Sequence, residues 1–238
     1  MSRCVTPEIA VVGAGIGGLA ASLFLSRAGF SVALIEKRPA VEEEGAGLQL
    51  SPNASRILID AGLGPSLVRG ASAPERIRVR RAVDGREIAT IPLGAAARER
   101  YGAPYLVIHR ADLAHLLDEA VRNEERVSLH YGWEALTASP RAGEDGVALA
   151  LRGEGAASRQ LRASALVTAD GVWGRLGGCV PPRFSGFTAW RGLARAGAAP
   201  ALAQASEVGL WLGPGAHLVH YPIRGGERVR VSAAGPAL

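Results

Sequence analysis

Cysteine, lysine and aromatic residues are scarce in this sequence, and each scarcity excludes a class of protein. The only cysteines, Cys4 and Cys179, lie far apart and form neither a disulfide framework nor a set of metal ligands. We therefore predict a reduced, cytoplasmic protein without a bound metal. No apolar run reaches the roughly 18–20 residues that cross a bilayer, and the first residues have no signal-peptide layout. We therefore expect no interaction with a membrane.

The positive charge is spread along the chain instead of being gathered in one segment. The formal net charge is +5, and Lys37 is the single lysine among 27 basic residues. The densest group of arginines, over residues 76–81, alternates with Ile77 and Val79, a pattern that predicts the solvent-facing side of a strand. A nucleic-acid site needs clustered cations, with aromatic side chains where single strands bind. Aromatic residues make up only 5% of the chain, so we expect no nucleic-acid partner.

The clearest organisation lies at the start of the chain. The 238 residues, 48% of them hydrophobic, suffice for one or two domains. Ile9–Val12 is an apolar run of strand type, and a glycine-rich turn then leads into helical apolar spacing that Gly29 is placed to end. A second apolar run over residues 31–35 ends at Glu36. Strand, turn, helix and strand in this order predict a βαβ unit.

The glycine-rich turn has the GxGxxG spacing of a dinucleotide site, with glycine at positions 13, 15 and 18. The first glycine allows the tight turn, the second lets the backbone approach a pyrophosphate, and the third permits close helix packing. The N–H groups at the helix start then bind phosphates. Glu36 is positioned to bind ribose hydroxyls and would repel a 2′-phosphate. The alternative is a structural turn beside a surface glutamate, and the motif alone does not separate NAD from FAD.

Later segments alternate short strands and helices. Asp84-Gly85 between two apolar runs predicts a hairpin over residues 77–91. Residues 161–168 are predicted to form one strand. After Pro181-Pro182 the pattern changes to β segments, so we place a domain boundary near this point.

Five later segments resemble the flavin-dependent aromatic monooxygenases of the salicylate hydroxylase and 6-hydroxynicotinate 3-monooxygenase type. These segments are residues 45–54, 109–113, 169–173, 184–192 and 213–222. The resemblance implies an α/β fold, in which a Rossmann-like FAD-binding domain is interleaved with a β-rich substrate domain that is incomplete at the C-terminus. It assigns residues 1–75 and 102–178 to the FAD-binding domain, and residues 76–101 and 179–238 to the substrate domain.

The resemblance also implies FAD as the tightly bound dinucleotide and NADH or NADPH as a transient reductant. The FAD site is assigned to Gly13, Ala14, Gly15, Ile16, Gly17, Gly18, Glu36, Lys37, Arg38, Gly47, Arg110 and Asp170. By residue type alone, Arg110 is a surface cation before a helix and Asp170 an acidic turn residue. Only their match to the family's motifs favours a role in binding.

His217 and Tyr221 are the candidates for contact with a substrate. Residues i and i+4 of a strand lie on the same face, so both side chains can point into one cavity while His220 faces the other way. The resemblance places His217 and Tyr221 near the substrate ring as catalytic groups, and Gln49 is a further substrate-facing candidate. The alternative is a half-buried strand whose histidine and tyrosine are only hydrogen-bonded.

The resemblance implies hydroxylation of a small aromatic acid with NAD(P)H and O₂. The alternative is an FAD-binding oxidoreductase or remnant without oxygen insertion. Such a protein is either an uncoupled NAD(P)H oxidase or an inactive dinucleotide-binding fragment. Relatives of this type continue through a Gly-Asp motif that this sequence does not contain, and the stretch after Gly226 departs from their pattern. We therefore expect a truncated form that binds FAD weakly or not at all. The sequence leaves the oligomeric state open.

Overall fold

The structure is a computed structural model that describes residues 7–41, 47–140, 145–177, 180–198 and 206–237. Both cysteines and the first two residues of the 45–54 motif lie outside these ranges. By its internal contacts the chain divides into two compact units, Met1–Glu42 with Ala114–Arg183, and Glu43–Leu113 with Phe184–Leu238. The predicted domains instead grouped 43–75 and 102–113 with the first unit, and the functional division between domains stays a prediction.

Strands and short helices alternate along the described residues. The strands are β1 (Ile9–Val12), β2 (Val32–Glu36), β3 (Gly47–Leu50), β4 (Arg76–Arg81), β5 (Glu87–Pro92), β6 (Leu106–His109), β7 (Val127–Tyr131), β8 (Glu134–Pro140), β9 (Val147–Arg152), β10 (Ser158–Ala163), β11 (Ala165–Thr168), β12 (Phe187–Arg195), β13 (Glu207–Gly213), β14 (Ala216–Ile223) and β15 (Arg228–Pro236). The α-helices are α1 (Ile16–Arg27), α2 (Pro52–Leu58), α3 (Gly64–Gly70), α4 (Gly94–Tyr101) and α5 (Arg110–Arg122). Shorter helical turns are Ile59–Leu63, Glu154–Ala156, Ala196–Ala198 and Arg224–Gly226. None of the helices in the described part of the chain is long and apolar enough to cross a membrane.

The first unit is built on a parallel sheet with the strand order β11-β1-β2-β7. All of β1 and nearly all of β2 is buried, as expected for parallel strands covered on both faces. Helix α1 packs against this sheet and buries Leu19 and Leu23. The antiparallel sheet β10-β9-β8 packs on it as well, and Leu149, Leu151 and other buried apolar residues join the two sheets in one core.

The second unit is built on a six-stranded mixed sheet with the order β12-β15-β14-β13-β4-β5. Only the β13–β4 pair is parallel. A separate two-stranded antiparallel sheet joins β3 to β6. Val107 of β6 packs with Val208, Tyr221 and Ile223 of the large sheet. Residues that lie opposite one another in adjacent strands share a face, so the strand register divides the large sheet into two chemically different faces.

The βαβ unit and the hairpin are confirmed within a residue or two, but two predictions about strands were wrong. The predicted strand over 161–168 is two strands, β10 and β11, which belong to different sheets. The β segments expected after Pro181-Pro182 are present, and the last of them is longer than predicted: the nine-residue β15 pairs with strands on both sides. The arginines of β4 were expected on the solvent-facing side of the strand, but Arg78 and Arg80 form ion pairs with the buried Glu207.

Candidate functional site

The glycine turn after β1 is shaped by close backbone contacts. Gly13 has a φ of +102°, and a Cβ atom there would lie 2.7 Å from the carbonyl carbon of Ala169 and closer still to its oxygen. A Cβ atom on Gly18 would lie 3.0 Å from the carbonyl carbon of Gly13, again closer to the oxygen. Both positions therefore require glycine for packing inside the protein.

The outer side of the same turn is open. A Cβ atom on Gly15 or Gly17 would meet nothing within 4 Å. Gly15 is the N-cap of α1, and among the described residues no side chain caps the first turn of this helix. The N–H groups at the start of a twelve-residue helix thus lack an acceptor from a capping side chain. This combination of an open backbone and an uncapped N-terminus fits a phosphate.

Glu36 ends β2 beside the glycine turn and binds it directly. Its Oε2 atom accepts a hydrogen bond of 2.7 Å from the N–H of Ala14, and its Oε1 atom accepts one of 3.0 Å from the N–H of Arg38. The side chain is half-buried, whereas Lys37 and Arg38 are exposed. A carboxylate oxygen accepts more than one hydrogen bond, so the side chain retains capacity for hydroxyl donors.

Asp170 lies two residues beyond β11, the strand next to β1. An added Cβ on Gly13 would lie 3.1 Å from the Cα of Asp170, so its backbone adjoins the glycine turn. The Asp170 Oδ2 atom accepts hydrogen bonds from the N–H groups of Arg175, at 2.9 Å, and Leu176, at 3.4 Å. The carboxylate therefore closes the next turn of the chain, which is a structural role. The glycine turn, Glu36 and Asp170 all gather at the carboxyl edge of the parallel sheet, where α/β proteins bind ligands.

In the second unit, Gly47 of β3 packs against Tyr221. A Cβ atom on Gly47 would lie 2.5 Å from the Tyr221 hydroxyl oxygen. Tyr221 is only 5% exposed. Burial raises the pKa of its hydroxyl, while Arg230 and Arg191 partly oppose that rise. The fit between Gly47 and Tyr221 gives this glycine a packing role, separate from the cofactor role predicted for it.

Tyr105 is a site residue that the sequence reasoning missed. Its hydroxyl donates a hydrogen bond of 2.7 Å to Oε1 of Gln49. Burial, followed by the neighbouring Tyr221, raises the pKa of Tyr105 to about 12. Gln49, Tyr105 and Tyr221 thus form one group of uncharged polar side chains. A tyrosine directly before an apolar strand carries no distinctive pattern, so the sequence offered no signal for it.

The register of β14 puts His217 and Tyr221 on the same face, opposite Ala234 and Arg230 of β15. His217 is exposed and lines a pocket of about 310 Å³ together with Trp190, Trp211 and residues of the strand ends. Tyr221 is not among the residues that line this pocket. A shared cavity for the two side chains stays a prediction.

His220 faces the other side of the sheet, where it lies opposite Gly209 and 6.3 Å from the Trp211 ring, measured between ring centroids. Arg110 is exposed at the first residue of α5, directly after β6. The contact of Arg110 with the flavin stays a prediction.

Comparison with known proteins identifies similar chains. The family described as FAD binding domain matches residues 6–236. The 3-amino-4-hydroxybenzoate 2-monooxygenase PtnB3 of Streptomyces platensis is 40% identical over 230 residues, which cover 95% of this chain and 56% of the relative. The 3-hydroxybenzoate 6-hydroxylase of Polaromonas naphthalenivorans is 36% identical over 228 residues, covering 94% of this chain and 55% of the relative. The chain thus spans little more than half the length of the curated relatives it matches.

A solved structure is also similar to this chain. The crystal structure of Klebsiella pneumoniae HpxO complexed with FAD and uric acid has a TM-score of 0.77 and 25% identity to this chain. The match covers 97% of this chain and 57% of HpxO.

Proposed function

Since this chain belongs to the FAD binding domain family that it matches over residues 6–236, we propose that it holds FAD and a small aromatic acid and hydroxylates the aromatic ring with NAD(P)H and O₂. The observation that carries the proposal is the glycine turn after β1, open at Gly15 and followed by an uncapped helix. The substrate class comes from the two relatives, whose names each specify a hydroxybenzoate.

The residues of the first unit fit the pyrophosphate and ribose of FAD. The N–H groups at the start of α1 donate to the phosphates, and Glu36 accepts from ribose hydroxyls while it holds the turn through Ala14. The remaining FAD contacts are proposed from the resemblance, at Lys37, Arg38, Gly47, Arg110 and Asp170. When bound, the flavin supplies electron transfer from NAD(P)H to O₂.

The second unit supplies the groups proposed to hold the aromatic substrate. A tyrosine hydroxyl is protonated at neutral pH, and burial raises the pKa of Tyr105 and Tyr221 still further above it, so each donates or accepts a hydrogen bond without carrying charge. Gln49 orients Tyr105 through their shared hydrogen bond. The His217 imidazole is the group suited to take a proton from a ring hydroxyl. Such proton transfer accelerates reactions by ~10²–10⁴-fold.

The cellular location and the choice of reductant are proposed from the cysteine content and from the charge of Glu36. A cytoplasmic location is supported by the low cysteine content. Glu36 would repel a 2′-phosphate in the adenosine pocket, but NADH and NADPH both suit a reductant that binds only transiently.

The test is to purify the chain with added FAD, remove the free flavin and record the visible absorption spectrum. A flavin band that survives this step would support FAD binding by these residues, and 3-hydroxybenzoate should then accelerate NADH or NADPH oxidation and yield a dihydroxylated product. A colourless chain that circular dichroism finds folded would contradict FAD binding by these residues alone. NAD(P)H oxidation that yields only hydrogen peroxide would favour the alternative of an oxidoreductase without oxygen insertion.

A further inference from the structure

Two arginines lie beside Tyr221 on one face of the six-stranded sheet. Arg230 of β15 is directly opposite Tyr221 of β14 and Leu193 of β12. Arg191 is two residues from Leu193 on β12 and opposite Ser232 of β15, so it lies on the same face, one row along. The two guanidinium groups and the tyrosine therefore share one part of the sheet surface.

Arg230 is buried without an acidic partner among the described residues. Its exposed fraction is 7%, and its Nε atom has no hydrogen-bond partner. Among the described residues, neither Arg230 nor Arg191 has an acidic side chain within ion-pair distance. Burial lowers the pKa of Arg230, Tyr221 partly opposes this, and the like charge of Arg191 lowers the pKa a little further. An arginine nevertheless keeps its charge in proteins, so the fold holds a desolvated cation that has no anion among the described residues.

On the opposite face of the same sheet, arginines form ion pairs with a buried carboxylate. There Arg78 and Arg80 reach the buried Glu207 at 3.1 Å and 3.2 Å. Arg80 also stacks on Trp211, with its guanidinium carbon 5.1 Å from the ring centroid. In the described part of the chain, a carboxylate thus pairs with arginines on one face, and none pairs with the buried Arg230 on the other.

We propose that Arg230, with Arg191 beside it, binds the carboxylate of the aromatic acid and selects acids over uncharged aromatic compounds. The planar guanidinium forms two parallel hydrogen bonds to a carboxylate, and an anionic group would neutralise the charge buried next to Tyr221. The ring of the acid would then lie towards the Tyr221 hydroxyl. This role rests on the proposed function, because it assumes that the substrate is an aromatic acid.

The experiment compares one acid with its uncharged analogue. The full chain, with FAD added, is titrated with 3-hydroxybenzoate and with 3-hydroxybenzamide by calorimetry. We expect the benzoate to bind at least about 10-fold more tightly. Arg230→Met should weaken benzoate binding by about 10- to 100-fold, the range for a hydrogen bond to a charged group, and leave benzamide binding unchanged. Arg230→Lys should recover part of the benzoate affinity because it restores the charge.

Two further variants keep the test decisive. Arg76→Met, on the opposite face of the same sheet, is the matched control and should bind both compounds like the unaltered chain. If Arg230→Met does not fold, as judged by circular dichroism, Arg191→Met at an exposed position should reduce the preference for benzoate by itself.

The outcomes separate this assignment from the proposed function. If the unaltered chain prefers benzoate and both arginine variants keep that preference, the Arg230 assignment is wrong while the substrate class stands. If the two compounds bind equally, or Arg230→Met weakens both equally, the assignment is also overturned. If neither compound binds to the FAD-loaded chain, the substrate class and the assignment fall together.

Discussion

Replacing Gly15 with alanine should separate flavin binding from folding. Gly15 has φ −74° and ψ 177°, which alanine adopts readily, and an added Cβ meets no protein atom within 4 Å. Alanine is a poorer N-cap than glycine, so we expect the free energy of unfolding to fall by only about 0.5–1 kcal/mol. The new methyl group would instead occupy the space through which a pyrophosphate approaches the backbone.

The expected loss of FAD affinity follows from the hydrogen bonds that this methyl group obstructs. One hydrogen bond to a charged phosphate contributes about 1.5–3 kcal/mol, so losing one weakens FAD binding by about 10- to 100-fold. Gly18→Ala should behave differently, because its Cβ would overlap the Gly13 carbonyl group. The backbone would have to move, and overpacking of this kind costs about 1–3 kcal/mol of folding stability.

The assay measures binding and stability separately. FAD affinity is measured by the quenching of flavin fluorescence, and stability by urea unfolding of the flavin-free protein. Gly192→Ala is the control, because its Cβ also meets nothing within 4 Å and it lies in the other unit. The reasoning is refuted if Gly15→Ala binds FAD as tightly as the unaltered chain, or if it unfolds as easily as Gly18→Ala.

Two further predictions concern buried polar groups. Glu207→Gln should lower the free energy of unfolding by about 2 kcal/mol in urea, because it leaves Arg78 and Arg80 without their buried partner. Glu87→Gln, whose side chain is 51% exposed, should cost less than about 1 kcal/mol, and equal losses would contradict the account. Since the pKa of Tyr105 rises from 10.0 to about 12 on folding, stability should decline as the pH rises from about 10 to about 12. The ultraviolet titration of Tyr105→Phe should lack one late phase near pH 12, and loss of a phase near pH 10 would count against this.

Much of the first unit could be predicted from short stretches of sequence. The strand, glycine turn, helix and second strand formed as expected, and Gly29 ends α1 with a φ of +100°. The match over residues 6–236 confirms the family resemblance, and FAD is the cofactor of that family. These features are local, because each depends on neighbouring residues or on a motif of a few positions.

The predictions that failed depend on contacts between distant residues. The arginines of β4 were expected to face water, but Glu207 lies 127 positions from Arg80 and is brought to it by the parallel β13–β4 pairing. The sequence did not indicate Tyr105 as a candidate site residue, because its hydrogen bond to Gln49 joins residues that are 56 positions apart. Residues 229–231 were expected to be a short β segment, and hydrogen bonding on both sides extends the strand over residues 228–236 inside the sheet.

The sequence by itself determined the βαβ unit, the dinucleotide motif and the family, since glycine positions and apolar spacing act through local sterics and burial. Only the tertiary structure decided which polar groups acquire partners. It gave Arg78 and Arg80 a carboxylate, fitted Tyr221 against Gly47, and buried Arg230 with no anion among the residues that the structure describes. The physical reason is that the cost of burying a charge depends on what the fold brings within hydrogen-bonding distance, which no single stretch of sequence records.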